Sequence, residues 1–189
     1  MTRVRHVVAA VVVLVLMAGC NDGGVRAEPK DTTKVGAADL KSTRAEILDL
    51  IDTAVTTASA MAGGQERPRS GEVKSVGCDA IYPRRFRHVE ANGAFVVPDA
   101  DRVTVVRKIR DAWQAEGWKP EVGGKEVVGE DGEVLTTRTA SSGVPLTIRA
   151  IVLESPSGQA AVNVDVRTSC LELSRDALDA LDQAADDDR

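Results

Sequence analysis

At Lys119 the hydrophobic period of this chain changes, and that change constrains the fold more than any other feature. Upstream, apolar residues recur at helical spacing, about 3.6 residues; downstream they occupy about every second position. Between residues 39 and 61, Ile47, Leu48, Ile51, Ala54, Val55, Ala58 and Met61 fall three or four apart, while Lys41, Arg44, Asp49 and Asp52 take other positions. That is the pattern of an amphipathic helix. Thr43 and Glu46 have the spacing of a capping box, and Gly63-Gly64 supplies a stop. The polar face mixes charge signs instead of being uniformly basic, which points to packing on the domain's own sheet and away from a membrane surface. A second helix is expected from Asp99, as N-cap, to Gly117, as terminator, with Val103, Val105, Val106, Ile109, Ala112 and Trp113 on its apolar face. Trp118 then folds back against the last turn.

After Lys119, Val127-Val128 and Val134-Leu135 flank the hairpin signal Asp131-Gly132. Leu146, Ile148, Ala150 and Val152 alternate along one strand and Val162, Val164 and Val166 along the next, with Asn163, Asp165 and Arg167 facing the other way. Ser141-Ser142-Gly143 and Ser155-Pro156-Ser157-Gly158 supply turns. Two shorter strands, 72–78 and 94–97, lie between the helices. A weak helix, 174–185, and the tail Asp186-Asp187-Asp188-Arg189 end the chain. Three adjacent aspartates lack the alternating ligands and glycine of a calcium loop and read as a frayed terminus. The expectation is an α+β domain at 37–185, an antiparallel meander packed against two main α-helices. Only five aromatic residues are present, two Trp, two Phe and one Tyr. The core is therefore aliphatic, and both tryptophans are expected inside it.

The N-terminus reads as an export signal over residues 1–19. Arg3 and Arg5 give a positive start, and the apolar stretch from Val7 to Met17 has the length of a signal-peptide core. It is too short for a helix crossing the hydrocarbon, which needs about 20 residues. Leu16-Met17-Ala18-Gly19-Cys20 follows. This segment resembles a bacterial lipobox, with small Ala18 and Gly19 before the cysteine and Met17 in place of the usual Leu. The resemblance implies that Cys20 carries a diacylglycerol and becomes the acylated N-terminus, anchoring the protein at the extracytoplasmic face of the cell membrane. The run from Cys20 to Gly36 is polar and glycine-containing and reads as a tether, with a span of about 20 to 24 Å. With the lipobox, the Ala/Val/Arg/Asp-heavy composition and the ending Glu116-Gly117-Trp118 make the chain similar to the small lipoproteins of unknown function common in high-GC actinobacteria. That resemblance carries no activity with it.

If Cys20 is acylated, Cys78 and Cys170 remain. A pair of cysteines in an exported protein reads as a disulfide. Two free buried thiols are the alternative. A zinc site is poorly supplied, because His88 would be the one histidine of the mature chain. If the last strand continues to Cys170, that residue shares the parity of Val162 to Val166 and the bridge is buried.

The formal charge of −5 becomes −7 without Arg3 and Arg5, which argues against nucleic acid as principal partner. Within this acidic chain, Tyr82-Pro83-Arg84-Arg85-Phe86-Arg87-His88 is a basic and aromatic cluster. Arg84, Arg85 and Arg87 are candidates for binding phosphate or carboxylate groups. The alternative is a solvated loop whose arginines pair with nearby acids. No Gly-x-Ser-x-Gly elbow, His-Glu-x-x-His helix, Cys-x-x-Cys pair or phosphate loop occurs. No catalytic residue, metal or cofactor is expected. Two functions then compete: a non-enzymatic binding module, engaging an envelope protein or anionic polymer through a sheet face or the arginine loop, and a carrier of lipid or small molecules in an apolar cavity. Few aromatics and few methionines favour the module.

Overall fold

The computed structural model describes residues 32–64, 69–79, 81–98, 101–122, 132–154 and 159–187. The signal, the lipobox with Cys20, the first twelve residues of the expected tether (20–31), Val127-Val128 and the turn at 155–158 lie outside them. Element order is β1 (Thr33–Val35), α1 (Ala37–Ala62), β2 (Arg69–Ser70), β3 (Lys74–Gly77), β4 (Phe86–Pro98), α2 (Arg102–Ala115), β5 (Glu121–Val122), β6 (Glu133–Thr139), β7 (Pro145–Glu154), β8 (Gln159–Thr168), β9 (Leu171–Leu173) and α3 (Arg175–Asp187). The protein is α+β, as expected, but its sheet is mixed. Strand order is β1-β9-β4-β8-β7-β6-β5, with β2 and β3 both pairing with β4. From β5 to β8 the strands pair antiparallel in chain order, whereas β1 lies parallel to β9.

The sequence missed two things here. Thr33–Val35 falls in the expected tether, yet it forms an edge strand whose Val35 is 3% exposed. β4 has thirteen residues where a four-residue strand was expected; β9 and then β8 pair along one side of it, and β3 and β2 along the other. Its inward positions are Val89, Ala91, Gly93, Phe95 and Val97, and the small Ala91 and Gly93 at their middle interrupt the hydrophobic alternation.

One face of the sheet is the core. Leu146, Ile148, Ala150 and Val152 of β7, Val162, Val164 and Val166 of β8 and Val89, Ala91, Phe95 and Val97 of β4 are all buried. They meet Ile47, Ile51, Ala54, Val55 and Ala58 of α1 and Val105, Val106, Ile109 and Trp113 of α2. The α1 stripe is rotated from the expected one: Leu40 and Leu50 are buried, and Leu48 and Met61 are exposed. Trp113 locks the two helices together, its indole Nε1 donating to the Ala54 carbonyl at 3.2 Å. At the end of α2, Gly117 takes the left-handed conformation (φ 78°). The Trp118 amide then donates to the Trp113 carbonyl at 3.1 Å and the two indoles pack in a tilted pair, centroids 5.5 Å apart and planes at 52°. This is the fold-back read from Gly117-Trp118.

The helix starts differ from expectation. α2 is capped by Asp101, whose carboxylate accepts from the Thr104 amide at 2.9 Å; Asp99 lies outside the described residues. α1 begins at Ala37, well before the Thr43/Glu46 pair. Thr43 is buried and its hydroxyl pairs with that of Ser142 at 2.7 Å, while Glu46 accepts from the Ser141 amide at 2.8 Å. The supposed capping box instead anchors the β6–β7 turn to the helix.

The α1 N-terminus is capped from the far end of the chain. The Ala37 amide donates to Asp176 Oδ2 at 3.0 Å, and the Ser174 hydroxyl also hydrogen-bonds the Asp176 carboxylate. The Ser174 hydroxyl and then the Ala37 amide hold the Asp176 carboxyl below its usual range. A carboxylate so held stabilises the fold above its unfolded value and loses that effect as pH falls through the folded one. Asp176→Ala will therefore lower the melting temperature at neutral pH, and the gap from the parent will close as pH is taken from about 6 toward about 2. Thermal melts across that range measure it.

α3 packs on α1 through buried Ala177 and partly buried Leu178 and Leu181. It is the third helix, and it extends to Asp187, past the expected boundary at 185. Cys78 and Cys170 form a disulfide, with Cα atoms 6.1 Å apart. β8 stops at Thr168, so the expected inward parity does not reach Cys170. Cys78 is exposed and Cys170 half-buried. The bridge is a surface staple between the end of β3 and the β8–β9 junction.

Candidate functional site

The arginine cluster is not gathered into one cradle. Phe86, Arg87 and His88 belong to β4, and only the residues before them form a turn. Arg84 pairs with Asp182 of α3 at 2.5 Å. Arg85 pairs with Glu172 of β9 at 2.6 Å and lies over the Phe86 ring, 5.2 Å from its centroid. Arg87 donates to the Ser75 hydroxyl at 2.9 Å and to the Ser75 carbonyl at 2.5 Å. The three guanidinium groups thus point to three separate elements. Arg84 and Arg85 tie the turn to acids of α3 and β9, and Arg87 ties β4 to β3. Phe86 itself is buried and meets Tyr82 edge-on at 6.5 Å.

The other face of the sheet offers the stronger site. The helices pack on the valine-rich side, so among the described residues no helix covers the opposite one. Strand alternation places His88, Glu90, Asn92, Ala94 and Val96 of β4 there, with Ala161, Asn163, Asp165 and Arg167 of β8 and Thr147, Arg149, Ile151 and Leu153 of β7. Pairing register aligns them in rows: Arg149, Asp165 and Asn92 form one, and Ile151, Asn163 and Ala94 the next. Charges are concentrated toward the first row and apolar residues toward Leu153, which is 47% exposed.

Between β4 and β8 this face forms an open groove of about 480 Å³, lined by Gly71, Asn92, Gly93, Ala94, Asn163, Val164 and Asp165. Arg149 is held beside it by Glu133, with Nε and Nη2 donating to the two carboxylate oxygens at 2.7 and 3.4 Å. His88 meets Glu90 at 3.1 Å. Partial burial raises the Asp165 carboxyl above its ordinary range; Arg167 and Arg149 pull it down, while Glu90 and Glu133 add to the rise. The groove therefore presents two amides and one half-desolvated carboxylate in surroundings of mixed charge. His88 has a carboxylate partner, Glu90, on its own strand. Among the described residues, no group of three His, Cys, Asp or Glu side chains is arranged to hold a metal ion, and no helix is long and apolar enough to cross a membrane.

Asn163, Asp165 and Arg167 were recognised in the sequence as the outward face of β8, but Asn92 was not. Its strand was not expected to extend that far, and which strand lies beside β8 is a non-local fact. Comparison of the chain with protein-family models, with curated proteins and with solved structures finds no match.

Proposed function

We propose that the protein is a cell-envelope lipoprotein, anchored through Cys20 at the extracytoplasmic face of the membrane, that acts as a non-enzymatic binding module through the uncovered face of its sheet. One observation carries the binding part: the sheet buries one face under α1 and α2 and leaves the other open, with a polar groove at its centre. An antiparallel sheet can leave a face to water, but such faces are usually evenly polar. Here exposed Leu153 and half-buried Ile151 and Val96 adjoin a groove containing a desolvated carboxylate. Large side chains of both layers, among them Ile47, Ile51, Trp113 and Ile148, are fully buried where the helices meet the sheet. That favours binding at the surface over carriage of a ligand in the interior. The anchor rests on the lipobox, and the disulfide agrees with an oxidising compartment.

The anchor is tested by intact-mass analysis of protein from its native host. The expected mass is that of a chain beginning at Cys20 plus a diacylglycerol, and Cys20→Ser should move the protein from the membrane fraction to the soluble one. An unmodified Cys20 on membrane-free protein would remove the anchor from the reading.

A further inference from the structure

Resting on that reading of the sheet face, we propose that the groove between β4 and β8 binds a neutral, polyhydroxylated chain, a glycan polymer, through Asn92, Asn163 and Asp165. β4 and β8 pair over nine positions, from Glu90↔Arg167 to Pro98↔Gln159, and the backbone groups along this ladder lie in the plane of the sheet and are used within it. A ligand on this face can therefore reach side chains only. An extended peptide would instead seek a sheet edge, where free backbone groups await a partner.

The side chains present select the chemistry. A carboxamide offers both donor and acceptor, and a sugar hydroxyl needs both, so Asn92 and Asn163 match hydroxyl groups without charge. Asp165 adds an acceptor, and charge-assisted hydrogen bonds to it are stronger than neutral ones. Charge argues against ionic ligands of either sign. A cation at Asp165 would face Arg149 and Arg167, and an anion there would meet Asp165 itself with Glu90 and Glu133 nearby. The short side chain of Ala94 leaves space for a ring over a floor to which Gly93 and Val164 contribute. The groove is open to solvent, whereas small molecules are usually bound in pockets that enclose most of their surface. An open groove suits a polymer that contributes successive units. The partial desolvation of Asp165 fits the same account, since a carboxylate so placed destabilises the free protein and is relieved by hydroxyl donors.

The test is co-sedimentation of the full-length chain carrying Cys20→Ser with neutral polysaccharides in insoluble form, namely chitin, an insoluble β-glucan, and an arabinan and a galactan coupled to beads. Polygalacturonate and polylysine resins serve as charged controls. The expected result is retention on at least one neutral polymer, insensitive to added salt and reversed by its soluble oligomer. Asn92→Ala with Asn163→Ala should weaken that retention about tenfold or more, while Arg107→Ala on the helical side leaves it unchanged. All three positions are exposed, and melting curves verify that each variant is folded. No retention on any neutral polymer, retention unaffected by the double substitution, or salt-sensitive retention on the charged resins alone would each overturn the proposal. The binding-face reading fails separately, by the in-cell crosslinking described at the end of the Discussion.

Discussion

Replacing Cys78 and Cys170 by serine will lower the stability of the domain by about 4 to 5 kcal/mol in chain-entropy terms, with strain and residual structure reducing the measured figure. The bridge spans 92 residues of sequence, and it closes a loop containing β4, α2 and β5 to β8. Without it, the turn after β3 is held by local contacts such as the Cys78 amide to the Phe86 carbonyl at 3.0 Å and the side chain of Arg87 on Ser75. For a domain of this size the melting temperature should fall by about 10 °C or more. The exposed Cys78 makes the bridge accessible to reductant, so dithiothreitol should produce the same shift in the parent protein. A fall of under about 2 °C would show that the denatured state gains little freedom from losing the bridge.

Trp113→Ala is the second large effect, about 3 to 5 kcal/mol. Trp113 is 0% exposed and lies where α1, α2 and the Trp118 fold-back meet. Its removal leaves a cavity too enclosed for α1 and α2 to collapse into without losing their seat on the sheet. It also deletes the indole hydrogen bond to Ala54 and the ring against which Trp118 packs. Trp113→Phe keeps most of the volume and should lose roughly half as much. Chemical denaturation with tryptophan fluorescence measures both, and the two variants should show a further sign: Trp118 fluorescence shifted to the red, as its ring gains access to water. Equal losses for Ala and Phe would place the effect in the hydrogen bond instead of the packing.

How much of this was legible depended on how local each signal was. The helices and the strands β7 and β8 were read directly, because their buried residues follow one period without interruption. Gly117-Trp118 carried its own geometry, since a left-handed glycine after a helix leaves little choice for the next residue. Thr43 and Glu46 misled because their spacing is local, while their partners Ser141 and Ser142 are about a hundred residues away. Thr33–Val35 was missed because a three-residue strand is made by its neighbour β9, not by its own composition. The same limit hid Asn92 and with it the groove. Asp165 was visible as an outward residue of β8, but its desolvation depends on what stands across β4 and β7. The arginine cluster shows the reverse failure: a strong compositional signal whose members the fold distributes to Asp182, Glu172 and Ser75 as internal ties.

The account stands most directly on the claim that the open sheet face is where the anchored protein meets its partner. A photo-crosslinking residue placed at Leu153, exposed on that face beside the groove, and another at Arg107, on α2, would be introduced into the full-length protein in its native host. Irradiation is predicted to attach envelope material, protein or glycan, at Leu153 and not at Arg107, and to do so only while Cys20 is intact. Crosslinks confined to Arg107, or none at Leu153 in the membrane-anchored protein, would contradict it.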